Sequence, residues 1–108
     1  MMFYWLILYI AIFFEILATI CMKLSVGFTK ITPTVLTAIF YIISLILMSF
    51  TLEKIEVGTA YAIWSGLGTA GIAIIGIVWF DELASMIKFI SIGLIIIGMV
   101  GLSIEGVT

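Results

Sequence analysis

The chain has no histidine, arginine, asparagine or glutamine and only one cysteine and one proline, and just 9% of its 108 residues are charged. Each absence removes a chemistry. Without histidine there is no imidazole acid or base, no histidine metal ligand and no serine–histidine pair. Cys21 alone builds neither a thiolate metal site nor an internal disulfide. Four lysines against six acidic residues give a net charge of −2, which offers nucleic acid no cationic patch. With 66% hydrophobic residues, too little polar surface remains for a water-soluble domain. What is left is packing, hydroxyls, aromatic rings and a few carboxylates, inside a lipid bilayer.

A spanning helix takes about 20 mostly apolar residues, so four crossings need about 80 and leave only short connections. The charge map fits four. No charge lies between Lys30 and Glu53 or between Glu56 and Asp81, which gives two uninterrupted spans. The expected helices cover 3–22, 33–52, 57–80 and 85–104, and form a single all-α membrane domain. Lys88 lies near a span end, where its stem can snorkel to the interface. Pro33 sits where a helix can begin, because its missing N–H is one the first turn cannot pair. The amino terminus does not read as a cleaved signal peptide, since it lacks a basic start and carries Glu15 within its apolar run. Lys23, Lys30 and Lys88 fall on one side of the membrane and Lys54 on the other. That bias is weak enough for insertion in both orientations.

Glu15 is the acidic residue set well inside a span. Lys23, eight residues on, lies roughly 12 Å away at ~1.5 Å per residue and cannot neutralise it. A charge at the bilayer centre costs at least ~2.5–3.5 kcal/mol, so this carboxyl must bind a proton or face a cation. It can exchange one for the other. The plainer alternative is a protonated carboxyl that joins helices through a hydrogen bond, for example to Thr19 or Ser65. Leu8, Ala11, Ala18, Thr19 and Met22 share the face of Glu15, and the small ones leave room beside it.

In the third span Tyr61, Trp64, Ser65 and Gly68 fall at i, i+3, i+4 and i+7, on one face. Aromatic rings near a buried carboxylate suit a lipophilic cation, because their negative faces attract it. Tyr4, Trp5 and Trp79 stand near span ends and fit an interfacial belt. Gly66, Gly68 and Gly71 weaken the third helix and allow either a bend or a close helix contact. In the fourth span Ser91, Gly98 and Gly101 form a stripe of small residues that favours helix association. Four short helices do not easily enclose a cavity of ~300 Å³, so the expected unit is a dimer with two copies of Glu15 in one chamber.

The residues Glu15-x-x-x-Thr19-x-x-Met22-Lys23-x-Ser25-x-Gly27-Phe28, then Pro33, Tyr41 and the run Ala60-Tyr-Ala-Ile-Trp-Ser-Gly-Leu-Gly68 resemble the small multidrug resistance family. The resemblance extends from about Trp5 to Ser103. It implies a four-helix exporter of the bacterial cytoplasmic (inner) membrane, coupled to protons and assembled as an antiparallel homodimer or with a paralogous subunit. It implies no cofactor and no metal beyond the proton as coupling ion. By matching position it assigns Glu15 to shared proton and substrate binding. It makes Trp64, Tyr61 and Tyr41 substrate-site residues, and Thr19 and Ser65 polar neighbours that orient the carboxyl. An aromatic near the amino terminus that relatives place in the site falls on Trp5. Gly66 and Gly68 match a helix kink, and the stripe at Ser91, Gly98 and Gly101 matches a dimer interface, with serine where glycine is usual.

Guanidinium exporters of that family carry tryptophan three residues after the glutamate and lysine near the end of helix four, where this chain has Ala18 and Ser103. The expectation is therefore a proton-coupled antiporter of hydrophobic and quaternary ammonium cations, with guanidinium or polyamine export as the alternative. A small dual-topology ion channel is the competitor from another class. An anion pore would gain nothing from a central Glu15 and would use donors such as asparagine or arginine. A subunit of a larger membrane complex is a third possibility. Enzymatic activity is not expected, because no nucleophile and base are paired.

Overall fold

The computed structural model describes residues 2–107, which form four helices and no strand: α1 (Met2–Leu24), α2 (Ile31–Thr51), α3 (Val57–Trp79) and α4 (Met86–Val107). All four have the length and apolar composition of a membrane span. Most of their large apolar side chains are exposed, including Phe13, Ile42, Val78 and Ile97, as expected where the surrounding solvent is lipid rather than water. The helices associate as two hairpins, one ending at Ile55 and one beginning at Glu56.

In the first hairpin, α1 and α2 are joined by a tight link built around Ser25. This buried hydroxyl donates to the Met22 carbonyl at 2.7 Å and accepts from the Phe28 amide at 3.0 Å. The chain then passes through three consecutive residues with positive φ: Val26, Gly27 and Phe28. Only the glycine takes that conformation without a Cβ penalty. Thr29 closes the link by donating to the Val26 carbonyl at 2.8 Å.

Helix α2 starts two residues earlier than Pro33, with Lys30 as its N-cap. Pro33 thus occupies the third helical position rather than the first. The helix tolerates this because its first four N–H groups have no intrahelical partner, and its first backbone bond runs from the Thr34 amide to the Lys30 carbonyl at 3.2 Å. Along α2, Thr37, Tyr41, Ser44, Met48 and Thr51 recur at alternating spacings of four and three. All are buried except Tyr41, which is half-buried. Four of these five side chains carry a hydroxyl, which makes this a polar face of the helix. Phe14 and Phe40 also meet across the hairpin, with ring centroids 5.9 Å apart.

In the second hairpin, α3 continues unbroken through Gly66 and Gly68. The missing side chain at Gly66 admits α4. A Cβ there would lie 2.9 Å from Met99 Cγ and 3.1 Å from Ile95 Cγ2, so this glycine permits a close helix contact. At the end of α3 the Gly76 carbonyl accepts from the Phe80 and Glu82 amides at 3.1 and 3.0 Å. Gly76 also leaves space for the Glu82 carboxylate, which a Cβ would displace. Ser85 then caps α4, its hydroxyl accepting from the Lys88 amide at 3.1 Å, the usual service of a serine N-cap. Helix α4 runs three residues beyond the expected end at 104.

Candidate functional site

Glu15 lies in the middle of α1, whose adjacent positions Leu8, Ala11 and Ala18 are fully buried. One turn after Glu15, the Thr19 hydroxyl reaches back along the helix. It lies 3.0 Å from Glu15 Oε1 and 3.1 Å from the Glu15 main-chain carbonyl. It also meets the Tyr41 hydroxyl of α2 at 3.0 Å. Three residues that the sequence assigned to the site are therefore joined in one hydrogen-bonded group. The second carboxylate oxygen, Oε2, is buried and has no hydrogen-bond partner among the described residues.

The carboxyl is thus half satisfied. An ionised carboxylate can accept about four hydrogen bonds, and a buried acceptor left empty loses solvation without compensation. Oε2 is the atom at which a proton or a donor-bearing cation would relieve that cost. Among the described residues, no cluster of three or more acidic or cysteine side chains could hold a metal ion.

A residue that sequence inspection missed supports the same turn of α1. Ser44, fully buried on α2, donates to the Ala11 carbonyl at 2.7 Å. In an α-helix that carbonyl also accepts from the amide four residues on, which is that of Glu15. The only sequence signal for Ser44 is its place on the polar face of α2, three residues after Tyr41 and seven after Thr37.

In the second hairpin Tyr61 and Trp64 pack edge to face, with centroids 5.8 Å apart and planes at 69°. Tyr61 is 59% exposed, and Ser65 is exposed beside it. The Trp64 indole nitrogen is buried without a hydrogen-bond partner among the described residues. Trp5, on α1, likewise has a buried indole nitrogen without such a partner. Ser91, Gly98 and Gly101 all lie on the exposed surface of α4. A Cβ at Gly98 or Gly101 would meet open space.

The sequence profile of a family described as Small Multidrug Resistance protein matches residues 3–95. The chain is 48% identical over 100 residues to "Uncharacterized membrane protein YvaE" of Bacillus subtilis, covering 93% of this chain and 84% of that protein. It is 40% identical over 100 residues to a protein named "Guanidinium exporter" from Yersinia pseudotuberculosis, covering 93% and 96% of the two chains. A protein of the same name from Citrobacter freundii is 40% identical over 101 residues, with 94% and 96% covered. The names of these exporters agree with the alternative drawn from the sequence better than with quaternary ammonium transport. Four apolar spans and bacterial relatives of this kind identify a multi-pass protein of the inner membrane.

Proposed function

The chain belongs to the small multidrug resistance family of membrane transporters, and on that premise we propose that it exports guanidinium-type organic cations in exchange for protons, with Glu15 as the group that binds each in turn. The observation that carries this reading is the divided state of the Glu15 carboxyl. One oxygen accepts from Thr19, and the other is buried and lacks a donor. A guanidinium ion brings planar, charge-assisted N–H donors to a carboxylate. A proton serves the same oxygen. Occupancy by one excludes the other, and that exclusion is the basis of exchange. The names of the relatives at 40% identity point to the same substrate class.

A second reading rests on a separate observation. A quaternary ammonium ion has no N–H to offer Oε2 and would instead be held by ring faces. The Tyr61–Trp64 pair supplies such faces, and Ala18 and Ser103 depart from the pattern of guanidinium exporters.

The transporting unit in this proposal is an antiparallel dimer of two identical chains, or of this chain and a paralogue. The uncovered stripe at Ser91, Gly98 and Gly101 offers the close approach that small residues provide between membrane helices. Two Glu15 carboxyls in one chamber would titrate as a coupled pair. Protons and cation would then compete for both, while the dimer opens to one side of the membrane at a time.

Equilibrium binding to purified protein in detergent separates the two readings, with guanidinium and tetraphenylphosphonium titrated at several pH values. Guanidinium binding that weakens as the pH falls and disappears in Glu15→Gln supports the proposal. Binding of tetraphenylphosphonium with none of guanidinium supports the second reading. Cation binding that survives Glu15→Gln excludes both.

A further inference from the structure

The Thr19 hydroxyl has one hydrogen and three oxygens within reach. These are the Glu15 main-chain carbonyl at 3.1 Å, Glu15 Oε1 at 3.0 Å and the Tyr41 hydroxyl at 3.0 Å. Neither the Glu15 carbonyl nor an ionised carboxylate can donate, so a bond from Thr19 to Glu15 uses the single Thr19 hydrogen. With that hydrogen so used, it is the Tyr41 hydroxyl that donates to Thr19. The bonds have a direction, from Tyr41 through Thr19 to Glu15, and in such a chain each bond polarises the next.

The same face of α2 grips the backbone. Ser44, one turn beyond Tyr41, holds the Ala11 carbonyl at 2.7 Å, and that carbonyl also receives the Glu15 amide in helix geometry. Helix α2 therefore fixes both the turn from which Glu15 projects and one oxygen of its carboxyl. No residue from Ile31 to Thr51 carries a charge, so α2 presents no ion to compete with these bonds.

We infer that Tyr41 is a positioning residue: acting through Thr19, it holds Glu15 so that Oε1 is permanently occupied and Oε2 alone exchanges proton for cation. This role differs from direct contact with the substrate, and it rests on the proposed use of Glu15 as the exchanging group. It has a simple consequence for the cycle. A proton on Oε2 leaves Oε1 as the carbonyl oxygen of a neutral acid, which still accepts from Thr19. The relay therefore survives both protonation states, and the carboxyl need not turn over between them.

The test uses full-length protein in lipid bilayers, labelled with carboxyl-¹³C glutamate and observed by solid-state NMR, with the Glu15 signal assigned by its loss in Glu15→Gln. Removing the hydroxyl in Tyr41→Phe is expected to shift the Glu15 carboxyl signal and weaken guanidinium binding about three- to tenfold, the range of one net hydrogen bond. Thr19→Val is expected to do the same. The double variant Tyr41→Phe/Thr19→Val should bind no more weakly than Thr19→Val alone, because Tyr41 has no route to Glu15 once Thr19 is cut. Thr19→Ser, which keeps the hydroxyl, should retain the wild-type carboxyl signal. An unmoved Glu15 signal in Tyr41→Phe would overturn the inference, as would losses that multiply in the double variant, the behaviour of two independent substrate contacts. Should wild-type protein bind no guanidinium while the carboxyl signal still moves in Tyr41→Phe, the substrate assignment fails and the positioning role stands.

Discussion

Ser44 donates its hydroxyl hydrogen to the main-chain carbonyl of Ala11 at 2.7 Å, across the interface between α1 and α2, with both residues fully buried. Hydrogen bonds between membrane helices average about 0.6 kcal/mol and reach about 1.7. Ser44→Ala should therefore lower stability by about 0.5–2 kcal/mol, since the Ala11 carbonyl retains its intrahelical partner. Unfolding in mixed detergent micelles measures this. An unchanged transition would show that the contact does not hold the hairpin together.

The Gly66 position makes a second, independent test in the other hairpin. A Cβ there meets Met99 Cγ at 2.9 Å, Met99 Sδ at 3.1 Å and Ile95 Cγ2 at 3.1 Å. Gly66→Leu should destabilise by about 1–3 kcal/mol, as overpacking generally does. Adding Met99→Ala should recover part of that loss, because the two sites share one space and their effects cannot be additive. Equal losses with and without Met99→Ala, in the same unfolding assay, would contradict the packing described.

Glu15→Asp keeps the acid but withdraws it by one methylene. The carboxyl then falls short of Thr19, which sits 3.0 Å from Oε1 in the wild type. Transport should persist at a reduced rate, with weaker cation binding, whereas Glu15→Gln should lose coupled transport altogether. In the wild type, guanidinium affinity should fall as the pH falls, because each proton bound at Glu15 removes a carboxylate. Proteoliposome uptake assays across pH distinguish these cases, and a variant Glu15→Asp indistinguishable from wild type would count against the close fit around the carboxyl.

Much of the architecture can be read from charge spacing alone. The uncharged stretches from Lys30 to Glu53 and from Glu56 to Asp81 enclose α2 and α3, because a bilayer penalises any charge between the interfaces. Helix ends are less legible. Pro33 reads as a first helical residue, yet the third position serves equally, since neither has a hydrogen bond to lose. Helix α4 continues past the expected end at 104 to take in Glu105, because one charge at the end of an apolar helix does not stop it.

The site divides in the same way. The pairing of Glu15 with Thr19 follows from their spacing of four on one helix. The approach of Tyr41 to Thr19 depends on how α1 and α2 pack, which local periodicity does not encode. Ser44 illustrates the limit most clearly. A serine in an apolar helix reads as a small residue, and its bond to Ala11 becomes visible only once the partner helix is in place. The relatives named guanidinium exporters at 40% identity agree with the alternative expectation, although Ala18 and Ser103 differ from the pattern that the family resemblance gives for such exporters.

The proposed exchange of proton for cation at Glu15 is tested most directly by solid-supported-membrane electrophysiology on proteoliposomes perfused with guanidinium and, separately, tetraphenylphosphonium. Wild-type protein should give a transient current with guanidinium that weakens at low pH and is absent in Glu15→Gln. A guanidinium current of wild-type size in Glu15→Gln would contradict the assignment of the exchanging group.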